Sequence, residues 1–410
     1  MSTMRILVHD YSGHPFQAEL SRALSSRGHQ VTHSYCDAYV SGKGRLEAGV
    51  GDSVVYDPIA VGETVAKLSF GKRLLQELRF GLLLVGQVRR VRPEVVLAST
   101  TPIPTLVVLA AYLFVRRIPW VLWHQDVQAV ALRSFAGKQL PRAFSLVASL
   151  IGLGERWCAR AAAGVVVIAE AFRDVHRSWG TAHKVAVIPN WAPLDEIHPV
   201  DRKNDWAVEH QLDDVHTLLY SGTLGLKHNP ALLPQLARKV ADRGFPVRLV
   251  VVNTGPAEQV VIDEAERLGV PLTLVPFQPY ERLPEVLGSG DVLVVLLEQD
   301  AGAFSVPSKS LSYLCAGRPV LGLMPPENLA SQMVTRAEGR VLPSEPGSLD
   351  AAAEWVVSLL GDPEKRHHLG DRARALAEQE FAIEGAADRF EAVLTGALRR
   401  RSMPDVPAPE

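Results

Sequence analysis

Residues 217–233, TLLYSGTLGLKHNPALL, run from an apolar strand through a loop with two glycines into a helix. Gly222 and Gly225 let backbone amides come close to an anion, because glycine adds no side chain to hold a ligand off. Lys227 stands at the helix entrance. An ordinary βα turn with a solvated lysine has the same composition, so the stretch by itself leaves both readings open. What it does decide is that a strand–loop–helix pattern starts afresh in the middle of the chain.

Downstream the alternation continues. VRLVVVN (247–253), LTLVPF (272–277), DVLVVLL (291–297) and PVLGLM (319–324) read as strands with helical stretches between them. Upstream lies a polar, proline-bearing connection at 190–216. Before it comes a first series of strands: RILVHDY (5–11), HQVTHSY (29–35), EVVLAS (94–99), WVLWHQ (120–125), GVVVIA (164–169) and KVAVIP (184–189). Between the first two, Phe16, Leu20 and Leu24 recur at helical spacing. Such alternation predicts parallel sheets with helices on both faces, here an α/β protein of two doubly wound, Rossmann-like domains facing a cleft. The expected boundaries are 1–198 for the first domain, 199–216 for the linker and 217–380 for the second domain. A helix at 381–400 returns to the first domain, and 401–410 is a disordered tail.

Composition agrees with two domains. The chain has 410 residues, 47% of them hydrophobic, enough for two full cores. Its net charge of −2 gives no reason to expect nucleic acid as a partner. Cys36, Cys158 and Cys315 are isolated, without metal-type or CxxC spacing, which points to a reducing compartment and against a zinc site. No signal peptide is read at the N-terminus. The most apolar run, IPTLVVLAAYLFV (103–115), is shorter than the ~20 residues a spanning helix needs and reads as a buried helix. The expected location is therefore cytoplasmic. Between residues 66 and 92, Lys67, Lys72, Arg73, Arg79, Arg89, Arg90 and Arg92 face a single acidic residue, Glu77, with leucines interleaved. A helix of this kind suits an anionic membrane surface, such as the inner face of the plasma membrane, and LPRAFSLVASLIGL (140–153) adds an apolar face. Packed helices with solvated basic edges are the alternative.

Five stretches carry a family resemblance. GHPFQAELSRALSSRGHQV is similar to the first loop and helix of the GT-B glycosyltransferases, and more closely of the large retaining family numbered four. KVAVIPNWAPLDEIHP resembles that family's segment closing the first domain, and LLYSGTLGLKHNPALL the opening of its donor domain. FQPYERLPEVLGSGDVLVVLL resembles a later stretch of the same domain. VPSKSLSYLCAGRPVL is similar to a PSK variant found in a subgroup that builds bacterial surface polysaccharides. The motifs occur in the family's order and cover about residues 4 to 395. The resemblance implies transfer of a hexosyl or N-acetylhexosaminyl unit, with retention. The donor would be a nucleoside-diphosphate sugar, UDP rather than GDP, and the acceptor a glycan or lipid-linked saccharide, with no metal cofactor.

Such a transferase must grip a diphosphate and stabilise the charge that develops as the sugar leaves. Helix N-termini supply anion-binding amides and lysines supply point charges. The resemblance puts Gly222, Thr223 and Lys227 at the donor phosphates. Where the family usually has an arginine, this chain has Thr223. Lys309, with Ser305, Val306 and Ser308 at the start of the next helix, is expected to stand in for it, clamping the diphosphate opposite Lys227. A surface lysine in a first helical turn is the plainer reading. Aligned on CAGRP, the family's two glutamates fall at Phe304 and Ser312, leaving Ser312 as a hydrogen-bond donor to a sugar hydroxyl and Glu298 and Asp300 as acidic substitutes. Phe277, Gln278 and Leu283 are expected at the base and ribose. In the first domain, His124 and Asp126 stand at the end of a strand, where open α/β sheets bind ligands. The resemblance makes His124 the active-site histidine that orients the sugar. A packed strand-end histidine is the common alternative, and a third metal ligand is wanting. Gly13 and His14 complete the candidates. Loss of both glutamates leaves room for a non-catalytic binding or partner subunit, and the GT-B architecture also hosts nucleotide-sugar epimerases.

Overall fold

The structure, a computed structural model, describes residues 3–39, 43–49, 52–61, 70–127, 142–224, 229–255, 257–298 and 307–402. The chain forms two compact units, Met1–Asn190 with Ile383–Glu410, and Trp191–Ala382.

In the first unit, β1 (Arg5–Asp10), α1 (Pro15–Ser26), β2 (Gln30–Cys36), β3 (Val55–Ile59), α2 (Phe70–Val91) and β4 (Val95–Ser99) are followed by α3 (Ile103–Val115) and β5 (Trp120–His124). Then come α4 (Arg142–Ala161), β6 (Gly164–Val167), α5 (Phe172–Trp179) and β7 (Val185–Val187). Among the described residues the seven strands make one sheet in the order β3-β2-β1-β4-β5-β6-β7, and all their pairings are parallel. The central strands are apolar on both faces: all five residues of β4 and of β5 are buried. β3 was not foreseen. It is an edge strand with Pro58, and only Ile59 of its five residues is buried. The C-terminal helix, Ile383–Ser402, packs on α1. It buries Phe390 against Trp123, with ring centroids 4.4 Å apart. Arg27 pairs with Asp388 at 2.7 Å and with Glu391 at 3.0 Å.

The second unit opens with residues 191–198, grouped with the first domain in the sequence reading. The stretch read as a linker holds α6 (Asp205–Glu209), capped by the Asn204 side chain. The alternation follows as β8 (His216–Ser221), α7 (Leu232–Ala241), β9 (Val247–Val252), α8 (Glu258–Leu268), β10 (Leu272–Val275) and α9 (Leu283–Gly288). It ends with β11 (Val292–Leu296), α10 (Ser308–Cys315), β12 (Val320–Leu323), α11 (Leu329–Arg336), β13 (Arg340–Leu342), α12 (Leu349–Leu360) and α13 (Pro363–Glu380). The strand order is β10-β9-β8-β11-β12-β13, and the pairings are again parallel. Leu218, Leu249, Val294 and Leu321 of the sheet meet Leu236 of α7 and Val356 of α12 in one core.

Each sheet has one topological switch point, where successive strands leave to opposite sides. It lies between β1 and β4 in the first unit and between β8 and β11 in the second. Loops leaving adjacent strand ends in opposite directions open a crevice there, which is where ligands of open α/β sheets bind.

Candidate functional site

In the second unit the strands flanking the switch point part early. β11 pairs with β8 through Val292–Leu218 and Leu293–Leu219. Ser221, two residues beyond, instead meets the Tyr313 hydroxyl, which accepts from the Ser221 amide at 2.7 Å and donates to its carbonyl at 3.1 Å. One phenol of α10 thus satisfies both backbone groups at the strand end. Burial pushes the Tyr313 and Tyr220 phenols up, so both remain protonated donors. Tyr220 donates to the Thr223 carbonyl at 3.1 Å and accepts from Lys309 Nζ at 2.6 Å. On the other side of the loop, Asn253 accepts from the Leu224 amide at 2.7 Å.

Lys309 lies over the Tyr220 ring, its Nζ 4.6 Å from the centroid, and alongside Gly222. Gly222 has φ +138°, and a Cβ added there would stand 2.8 Å from Lys309 Cε. Glycine at 222 therefore both adopts the backbone and leaves room for the lysine. α10 begins at exposed Ser308, and Pro307 at its N-cap offers no capping side chain, so its first amides are not satisfied by a cap from that residue. The structure thus brings Gly222, Thr223, Ser308 and Lys309 together. Ser312 is half-buried one turn on, and Glu298 is half-buried beyond β11. Lys227, Gly225, Asp300, Phe304, Ser305 and Val306 lie outside the described residues, so the proposed partner of Lys309 does too. Phe277 is half-buried, its amide 3.4 Å from Thr254 Oγ1, and Leu283 opens α9. Gln278 is engaged internally, accepting from Trp206 Nε1 at 3.2 Å and donating to the Pro276 carbonyl at 3.0 Å.

In the first unit, a cavity of about 670 Å³ opens at the switch point, over the ends of β1, β4 and β5. Asp10, the last residue of β1, is fully buried at its base. It accepts from the Ser12 amide at 3.1 Å, the Thr100 hydroxyl at 2.8 Å, the His14 amide and His14 Nδ1 at 3.2 Å. Burial alone would raise its carboxyl, but His14 outweighs this and holds it at about 2. Burial alone would likewise lower the His14 imidazole, whereas Asp10 and then Asp126 raise it. The buried Asp10 carboxylate bonded to His14 thus favours the protonated form of its imidazole. Thr100 holds φ +48°, an uncommon conformation for a threonine and one that sits at the cavity wall.

His124, the last residue of β5, also lines the cavity, yet both its ring nitrogens are engaged by protein groups. Nε2 is 3.0 Å from Glu155 Oε1 on α4, and Nδ1 is 3.1 Å from His176 Nε2 on α5. His176 Nδ1 in turn is 2.9 Å from the Thr181 hydroxyl. Burial, then His124 and Lys184, push His176 down to about 3, so it is neutral. A carboxylate can only accept, which puts the His124 proton on Nε2. Nδ1 then accepts from His176 Nε2, while the Thr181 hydroxyl lies within reach of both His176 Nδ1 and the His176 carbonyl, the latter at 3.2 Å. Phe172 and Trp179 enclose the imidazole, with centroids 6.0 and 5.9 Å away. The sequence reading has His124 orienting the sugar; as folded, it lines the cavity with both ring nitrogens bonded to protein groups, one of them Glu155, which lines the cavity too. Asp126 is exposed at the rim. Gly13, between two lining residues, is not one itself: its φ is +75°, and an added Cβ would meet Leu46 at 2.9 Å. Asp10, Glu155 and His176 went unremarked in the sequence. Asp10, four residues before His14, was the one with a local signal.

Two family models match successive parts of the chain: the one described as Glycosyltransferase Family 4 over residues 16–196, and Glycosyl transferases group 1 over residues 202–376. Among curated proteins, the chain is 25% identical over 213 residues to the protein assigned as the colanic acid biosynthesis glycosyl transferase WcaI of Escherichia coli, covering 51% of each chain. It is 23% identical over 247 residues to the alpha-D-kanosaminyltransferase of Streptomyces kanamyceticus, covering 58% of this chain and 61% of that one. The matches thus span only about half to three-fifths of these relatives' lengths. Among solved structures, Anabaena Alr3699/HepE in complex with UDP and glucose superposes with a TM-score of 0.67 at 15% identity, covering 96% of this chain and 99% of that one.

Proposed function

The chain belongs to the family-4 glycosyltransferases of the GT-B fold, and from that premise we propose that it transfers a sugar, with retention, from a UDP-sugar to a saccharide acceptor. The single observation that carries the donor half is Lys309 fixed beside Gly222 at the uncapped start of α10. An ammonium, helix-end amides and a glycine loop that admits close approach together suit a diphosphate. As the glycosidic bond to the donor breaks, negative charge grows on the leaving diphosphate, and Lys309 stabilises it in place. Thr223, Ser308 and Ser312 add hydrogen-bonding groups to this site, with Phe277, Gln278 and Leu283 toward the base and ribose. Lys227, Ser305 and Val306 belong to the same proposal by their place in the sequence. The reading assigns no metal ion, since lysine and amides supply the positive field. UDP is preferred to GDP because Alr3699/HepE, a neighbour in fold, was solved with UDP; the transferred unit is a hexosyl or N-acetylhexosaminyl group.

The acceptor half rests on the first unit. No helix among the described residues is long and apolar enough to cross a membrane. On α2, Phe80, Leu84 and Val88 are buried while Leu75 and Leu82 on the opposite face are 69% and 66% exposed, beside the exposed cations Lys72, Arg79 and Arg89. On α4, Leu150 and Leu153 are also exposed. These features support a cytoplasmic enzyme resting on an anionic membrane, with a lipid-linked or polysaccharide acceptor. The test is UDP release from a panel of UDP-sugars, with and without membrane-derived acceptors, and NMR of the product's anomeric centre. Acceptor-dependent release with the donor's anomeric configuration kept is the expected result. UDP binding without release under any condition favours the partner-subunit reading, which Ser312 in place of a glutamate keeps open.

A further inference from the structure

The second sheet carries a charged cluster at the end away from Lys309. His216, Asp291 and Arg318 stand where β8, β11 and β12 begin, Arg202 lies just before α6, and Arg366 is on α13. Asp291 is the buried centre. Its Oδ2 accepts from the Thr217 amide at 2.8 Å and from Arg202 Nη2 at 3.3 Å, and its Oδ1 is 3.5 Å from Arg366 Nε. Burial alone would raise its carboxyl, but His216, Arg202, the Thr217 amide and Arg366 hold it at about 2. Arg318 feels the same carboxylate. Burial lowers its guanidinium, Asp291 opposes this, and Arg202 and Arg366 lower it further. Three guanidiniums thus crowd one buried carboxylate. Even with the exposed Asp201, which also acts on Arg318, positive charge is in excess, and nearby Lys203 is matched by Asp214 at 2.7 Å.

Acceptors are short as well. Arg202 Nη2 donates to the Leu212 and Val215 carbonyls at 3.0 and 2.6 Å, while its Nε and Nη1 are enclosed without an acceptor. Arg318 Nη2 donates to the Val200 carbonyl at 2.8 Å, and its Nε is enclosed in the same way. Unmet donors of charged groups are costly away from water. The cluster also reaches the surface, where the Arg366 and His216 side chains are 23% and 39% exposed. We propose that Arg202, Arg318 and Arg366 form a second anion site, which binds the phosphate group of inorganic phosphate or of a phosphate monoester at the opposite end of the sheet from Gly222 and Lys309. Guanidinium forks match the oxygens of a tetrahedral oxyanion. A bound dianion supplies acceptors and replaces repulsion among three like charges with attraction to a common centre. It also ties together the segment before α6, the start of β12 and α13, and so stabilises the second unit by mass action. The site is independent of the transferase reading.

The test is calorimetric titration of the full chain at constant ionic strength, with inorganic phosphate and methyl phosphate as probes. The wild-type protein is expected to bind inorganic phosphate. Equal binding of methyl phosphate would assign the site to phosphate monoesters as well, and binding of the inorganic ion alone would assign it to free phosphate. Arg366→Gln should weaken binding by at least about tenfold, the size of one lost charge-assisted hydrogen bond. Arg366→Lys, which keeps the charge and loses the fork, should fall between the two. Lys309→Ala should leave phosphate affinity unchanged. In the wild-type protein, phosphate should shift the amide resonances of Thr217 and Arg318 more than that of Gly222, a readout that needs no variant to fold. Neither probe binding, affinity indifferent to Arg366→Gln, affinity lost in Lys309→Ala, or shifts centred on Gly222 would each overturn the site.

Discussion

The two units follow one architectural plan and put opposite chemistry at the same topological place. At the β8/β11 switch point the second unit offers an ammonium, uncapped helix amides and a glycine, held by neutral phenols. At the β1/β4 switch point the first unit offers carboxylates and buried imidazoles, with Arg73 bonded to Glu77 and His14 to Asp10. A shared fold therefore fixes where a ligand binds and says little about which ligand. The proposed function places the diphosphate at the second unit's strand ends, where the side chains suit an anion.

The contrast can be broken most forcefully with acid. All buried histidines among the described residues lie in the first unit, and burial holds His9 and His33 at about 4 against an ordinary 6.5. The unfolded chain then binds more protons below pH 6.5, so the stability tied to these two groups is complete above that pH and is lost as pH falls toward 4. Between about pH 7 and pH 5 each should lower unfolding free energy by about 2 kcal/mol. His14, raised by Asp10, works in the opposite direction, its contribution fading as pH rises. Urea melts of the whole protein, followed by exchange-protected amides in each unit, should show the first unit failing first in acid. Equal acid sensitivity would erase the contrast.

Next in size is Gly222→Ala. An added methyl displaces Lys309, and turnover should fall by about 100-fold, the usual cost of losing one charge-stabilising group. Unchanged turnover would mean the lysine is not where the charge develops. Tyr313→Phe strips the hydroxyl from the Ser221 amide and carbonyl and should cost about 2 kcal/mol in denaturant unfolding. A loss near zero would mean water replaces the phenol. The smallest effect is expected on α2: replacing Leu75 and Leu82 by Gln should weaken binding to anionic vesicles by about 1 kcal/mol per residue without changing stability. Equal vesicle binding would remove the membrane from the account.

Much of the architecture was readable because its central strands are apolar on both faces and so stand out as uninterrupted runs. β3 and β13 escaped: one is a proline-bearing edge with little burial, the other has three residues. In the second unit, Gly222, Ser308 and Lys309 announce themselves by residue type next to a helix start. In the first unit the informative partners are distant in the chain. Glu155 and His176 lie 31 and 52 positions from His124, and no spacing rule joins residues of a strand and two separate helices. His124 was recognised by its place at a strand end, while the direction of its nitrogens depends on those partners and emerges only from the fold.

Titration of UDP into the wild-type protein and into Lys309→Ala, with thermal melts to confirm that both are folded, tests the central claim most directly. The account predicts that the variant keeps its fold and binds UDP at least about tenfold more weakly, because a point charge on the diphosphate has been removed. Equal affinity for UDP in the two proteins would contradict it.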